Sequence, residues 1–248
     1  MLSLLLFLAG LIVGSFLNIC IDRIPLKQSL IRPRSYCMAC KEPLPVQDIL
    51  PVISFLLLRR RCRFCAALLS WRYIGVELLT GCLFIWCYFI LGVTLACSKA
   101  LILTSFLICI TFIDLRHQLI LDKILVWFAA LAVISNLFEP VLSCGDMVSA
   151  AVAGGGIFLV IAVITRGGMG GGDIKFVAAL GLWLGFKLTM LTVFLAFLLG
   201  GLGGLLLIIA GLKKRKDFIP FGPFIAASAW ISLLYGEQLI IWYLYIPQ

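Results

Sequence analysis

Between Lys187 and Lys213 the chain carries no charged side chain, and residues 190 to 212 alone are long enough to cross a bilayer as a helix. Seven further apolar runs lie at 2 to 20, 74 to 95, 98 to 114, 123 to 139, 148 to 165, 174 to 189 and 222 to 246. A backbone in lipid has to satisfy its own N–H and C=O groups, so such runs become helices. The pattern predicts an all-α polytopic membrane protein of about eight transmembrane helices. The sixth and seventh runs join with almost no polar linker, which puts their boundary near Thr189. With 63% hydrophobic and 12% charged residues, the composition excludes an ordinary soluble domain. The first run has no small-residue cleavage site and continues into the polar IDRIP, as expected of a retained helix rather than a removed signal.

A net charge of +9 could point to nucleic acid, but its distribution gives a different reason. Eighteen of the twenty Lys and Arg residues fall on one side of the predicted membrane, ten of them between Ile21 and Tyr73 and four in the KKRK run at 213 to 216. The other side has only Lys99 and Lys187. The positive-inside rule then places the long loop in the cytoplasm and both termini outside, with no nucleic-acid partner required. The KKRK run is also suited to anionic lipid headgroups of the bilayer.

Three segments follow: the first helix at 1 to 20, a cytoplasmic insert at 21 to 73, and a seven-helix membrane domain at 74 to 248. The insert is too small to bury much of a core unaided. It contains Cys37-Met-Ala-Cys40 and Cys62-Arg-Phe-Cys65, the spacing of two knuckles that converge on one tetrahedral Zn2+. A reducing cytoplasm disfavours disulfides there, and four thiolates leave no open position for water, so a zinc-knuckle insert is expected to be structural. Cys20, Cys82, Cys87 and Cys109 lie in apolar runs as small hydrophobes. Cys97 and Cys144 fall in predicted external loops, where a disulfide can form.

The acidic residues are informative by position. In TFIDLRHQLILDKI, Asp114 ends the third run and Asp122 precedes the fourth, while Asp173 in MGGGDIKF begins the sixth. All three map to the cytoplasmic edge, and ionisable groups at membrane depth are functional candidates. Two carboxylates brought together resist full ionisation, so one can act as base and the other as acid, as in aspartic peptide hydrolysis. Simpler roles exist: Asp122 or Asp173 can cap a helix, and Lys175 can extend to the headgroups. Three glycines at 170 to 172 open the backbone and let a substrate chain approach. The glycines of GGG at 154 to 156 and GGLGG at 200 to 204 suit helix packing. His117, the only histidine, is expected to be solvated.

Taken together, GSFLNICIDRIP at 14 to 25, the two CxxC knuckles, QDILPVISFLLLRRRCRFC at 47 to 65, SWRYIGVELLTG at 70 to 81, IDLRHQLILD at 113 to 122, GGGDIK at 170 to 175 and PFGPF at 220 to 224 resemble the prepilin peptidases, a family of bifunctional membrane aspartic proteases. The resemblance extends over almost the whole chain. It implies Asp114 and Asp173 as the catalytic pair, the latter in a GxGD motif, with Asp122, Lys175, Gly170 and Gly172 as possible supports. It also implies cleavage of a basic leader from type IV pilin-like precursors at the cytoplasmic face of a bacterial inner membrane. Methylation of the new N-terminus by S-adenosylmethionine is implied too. Asp122 matches an aspartate that usually follows proline, where Leu121 stands here. Asn18, Asp48, Arg72 and Glu77 match family positions; Glu77, Arg72 and Asp48 are candidates for the methyl-donor site, with an ion pair to Arg72 or Arg63 the alternative for Glu77. No strand-glycine-helix nucleotide fingerprint is present.

Two other functions fit membrane acids. An ion- or proton-coupled transporter would use them to bind its coupling ion, yet the three aspartates map to one face rather than the bilayer midplane. A noncatalytic assembly factor would need only the zinc knuckle.

Overall fold

A computed structural model describes residues 1–30, 36, 37, 39–43, 45, 51–214 and 219–244. Eight helices are present among them: α1 (Leu2–Arg23), α2 (Ile53–Leu57), α3 (Trp71–Leu91), α4 (Leu95–His117), α5 (Asp122–Phe138), α6 (Cys144–Ile164), α7 (Gly171–Ile209) and α8 (Gly222–Leu244). The described residues contain no β-structure beyond two isolated bridges, Tyr36 to Pro43 and Arg61 to Leu68. Six of the helices are long and apolar enough to cross a membrane. The protein is therefore a multi-pass helical membrane protein. Two compact units divide it, Met1–Cys109 and Ile110–Gln248.

In the first unit α1 packs along α3 through small residues. A Cβ on Gly10 would lie 2.7 Å from the Gly81 Cα, and one on Gly14 2.7 Å from the Glu77 Cα. In lipid, backbones gain dispersion contacts by approaching this closely, because burial alone drives little association there. The insert folds as a repeated turn. Cys37 N–H donates to the Glu42 carbonyl and Lys41 N–H to that of Cys37; Cys62 N–H donates to Ala67 and Ala66 N–H to Cys62. Lys41 and Ala66, at equivalent places, both have positive φ, 63° and 55°.

In the second unit α6 and α8 pack against α7, whose 39 residues contain one non-helical residue, Gly185 (φ 71°, ψ 175°). The neighbours of α6 show that the chain reverses there. Gly155 faces Ala178, and Gly181 faces Ala150 and Ala151, so α6 and the first half of α7 run antiparallel. Gly154 faces Thr189 and the Phe158 ring meets that of Phe197, so α6 and the second half run parallel. The break expected near Thr189 thus lies at Gly185. Thr189 is helical and donates its hydroxyl to the Gly185 carbonyl at 2.6 Å. Gly185 also lacks room for a side chain, since a Cβ would meet the Asp146 carboxylate, and Asp146 in turn accepts from the Phe186 N–H at 3.2 Å to cap the second half. Cys97 and Cys144, expected in loops and able to pair, are instead in α4 and at the start of α6, and both are free thiols.

Candidate active site

Asp114 and Asp173 are both buried, 4% and 7% exposed, and the second unit brings them within electrostatic range of each other. Three helix ends meet at the pair. Asp114 lies in the last turn of α4, with Gln118 in a left-handed conformation (φ 52°) ending that helix through a bond from its N–H to the Asp114 carbonyl. Asp173 occupies the third position of α7, where its carboxylate reaches back to the Gly170 N–H. That is the reciprocal half of a capping box. The Gly222 N–H, at the start of α8, donates to Asp114 Oδ2 at 2.9 Å. Two helix N-termini, each the positive end of a backbone dipole, therefore point at the two carboxylates.

Aromatic packing holds this geometry. Phe221 and Phe224 flank Gly222 and fill the spaces left by Gly200 and Gly203 on α7. The Phe221 ring lies 5.6 Å from Phe197 and 6.0 Å from Phe158. On the other side, Trp183 stacks on Phe128 of α5 at 5.4 Å and donates its indole N–H to the Phe128 carbonyl at 2.9 Å, while Phe176 meets the same ring. GGLGG and PFGPF thus act as hole and knob that seat α8 against Asp114. The sequence alone gave Gly222 no role; a glycine between two phenylalanines, following a basic loop on the aspartate side, was the available signal.

The glycines of MGGGDIKF do not open the backbone as expected. Gly170 is the N-cap, and Gly171 and Gly172 are already helical. Their function in packing is local: a Cβ on Gly172 would lie 2.9 Å from the Ile120 Cβ, and one on Gly170 would lie 3.0 Å from Asp173 Oδ2. Asp122 is the first residue of α5, with Leu121 as N-cap and no side-chain cap bond. Its carboxylate instead receives the Lys175 ammonium at 2.8 Å on both oxygens, an exposed pair that links the starts of α5 and α7. His117 is the last residue of α4.

In the first unit the four cysteine sulfurs lie within 4.8 Å of one another, with Cys37 to Cys65 at 3.8 Å and Cys40 to Cys62 at 4.0 Å. A tetrahedron built from zinc–sulfur bonds of about 2.3 Å has edges of about 3.8 Å, so the donor set fits such an ion. The Cys40 N–H helps hold the Cys37 thiol down at about 7, whereas burial and the other sulfurs outweigh the Glu42 N–H and push Cys40 up. Of the donor-site candidates, Glu77 accepts from the Val52 N–H at 2.8 Å. Arg72 pairs with Asp22 rather than Glu77, and Asp48 lies outside the described residues.

Residues 8–91 match the bacterial peptidase A24 N-terminal domain and residues 101–205 the type IV leader peptidase family. A prepilin leader peptidase/N-methyltransferase of Bacillus subtilis (strain 168) is 37% identical across 97% of both chains. The chain belongs to the type IV leader peptidase family. Other relatives of the same name, from Aeromonas hydrophila and Pseudomonas aeruginosa, are 35% and 32% identical, covering 97% and 96% of this chain and 93% and 91% of their own. No solved structure matches. The second family match contains Asp114 and Asp173, and the first contains the cysteine cluster.

Proposed function

We propose that the chain is a membrane aspartic endopeptidase that removes the leader from type IV pilin-like precursors and then methylates the new N-terminus. The observation that carries this is the buried pair Asp114 and Asp173, coupled electrostatically and each held by a backbone N–H. One carboxylate takes a proton from water as its oxygen attacks the scissile carbonyl carbon, and the other gives a proton to the carbonyl oxygen. Collapse of the tetrahedral adduct breaks the C–N bond, and the departing amine takes up a proton. The Gly222 N–H holds Asp114 Oδ2, and Asp173 turns back beside Gly170 at the start of α7, so both acids are oriented before substrate arrives.

By the charge distribution, the chain crosses a bacterial inner membrane eight times, with α7 contributing two crossings and α5 one, the aspartates facing the cytoplasm and both termini outside. Cys37, Cys40, Cys62 and Cys65 would hold a Zn2+ with a structural role, replacing the core that the insert is too small to form. S-adenosylmethionine, when bound, would supply the methyl group: its C–S bond would break to leave S-adenosylhomocysteine as the deprotonated amine nitrogen forms the new N–C bond. The test is mass spectrometry of a precursor incubated with purified protein, with and without the donor. Loss of the leader mass and gain of one methyl mass are expected, with neither cleavage product from Asp114→Asn or Asp173→Asn. Full cleavage by both variants would reject the pair.

A further inference from the structure

The first unit holds a second buried polar cluster that peptide hydrolysis does not use. Asn18 and Asp22 lie one turn apart on α1 and so share a face, 3% and 7% exposed. They meet the first turn of α3. Arg72 Nη2 alone donates to both Asp22 oxygens, at 2.7 and 2.8 Å, and the Tyr73 hydroxyl donates to Oδ2 at 2.9 Å. Arginine commonly meets a carboxylate with both forks. Here one nitrogen serves both oxygens, and Nη1 is buried with no hydrogen-bond partner among the described residues. Asn18 is similar: Nδ2 donates to the Tyr73 carbonyl at 2.9 Å, while Oδ1 is buried and unpartnered.

A buried donor or acceptor left unmet is costly, so two in one cluster call for a ligand that meets both. The cationic donor selects an anion, and the neutral acceptor selects a group rich in N–H. Asn18 and the Asp22 that anchors Arg72 stand one turn apart on α1, and Asn18 bonds the residue next to Arg72, so both unmet atoms belong to one cluster that a zwitterion such as an α-amino acid would match in charge. We propose that Arg72 Nη1 and Asn18 Oδ1 bind the amino-acid end of the methyl donor, through its α-carboxylate and α-ammonium respectively. This rests on the methylation reading above. Glu77 accepts from the Val52 N–H, which ties one of its oxygens to the start of α2.

Binding is measured by calorimetry on the full-length protein with S-adenosylhomocysteine and with 5′-methylthioadenosine, which lacks the amino-acid end. Wild type is expected to prefer the former. Arg72→Lys keeps a charge for Asp22 and removes the free nitrogen; Asn18→Leu removes the acceptor. Each is expected to weaken S-adenosylhomocysteine about tenfold or more and to narrow its preference over methylthioadenosine, as loss of a charge-assisted bond requires. Thermal unfolding is recorded beside binding, and Arg72→Lys decides if Asn18→Leu does not fold. Wild-type affinity in a folded Arg72→Lys overturns the site; if wild type still methylates precursor, the methylation reading stands without it. A wild type that cleaves without adding methyl mass and does not bind S-adenosylhomocysteine sinks both.

Discussion

At the level of single residues, the peptidase reading turns on atoms rather than on residue types. Under the proposed function, Asp114 depends on Gly222 having no side chain: a Cβ there would lie 2.7 Å from Oδ2, too close for the bond from its own N–H to survive. Gly222→Ala is therefore expected to lower kcat for precursor cleavage tenfold or more while the melting temperature changes little, which steady-state kinetics and thermal unfolding would separate. Lys175 and Asp122 behave differently. Their side chains are 59% and 66% exposed, and exposed pairs contribute roughly 0 to 1 kcal/mol. Lys175→Met should leave the melting temperature within a few degrees of wild type; a large drop would show the bridge to be a structural clamp.

Elements add constraints that no residue shows alone. α7 reads in the sequence as two apolar runs, and the turn between them is a single glycine with φ 71° packed on Asp146. Alanine at 185 would face both positive φ and the Asp146 carboxylate. Gly185→Ala is expected to destabilise the second unit by about 1 to 3 kcal/mol, measurable as a lower unfolding temperature in detergent. The knuckles make a prediction on pH. Metal requires thiolates, and the folded chain lowers Cys37 from its ordinary 9.0 to about 7. Thiolate at Cys37 is thus present above that range and lost as pH falls through it. Zinc retained against a chelator at pH 8 should be released at pH 6, followed by metal analysis; retention at both would show that Cys37 does not control it.

For the whole molecule, the strongest prediction is orientation. Eighteen positive charges on one predicted side and two on the other predict that the insert lies in the cytoplasm. In intact cells a membrane-impermeant thiol reagent should label Cys144, exposed at the start of α6, and should leave the insert's Cys65 unlabelled until the membrane is opened and zinc is removed by a chelator. The reverse pattern would invert the topology and move the aspartates to the outside.

The helical class, the membrane setting and the cysteine quartet were legible in the sequence, which also singled out Asp114 and Asp173 as candidates. Apolar length, charge asymmetry and ligand spacing are one-dimensional quantities, and the bilayer and a tetrahedral ion each reduce three dimensions to nearly one. The turn at Gly185, the Gly222 N–H on Asp114, the helical state of Gly171 and Gly172, and the one-sided grip of Arg72 on Asp22 were not legible. The first, second and last of these depend on which residues 40 or more positions apart come within a few ångströms. Such contacts follow from how small residues let helices close on one another, and that is decided only when the helices pack.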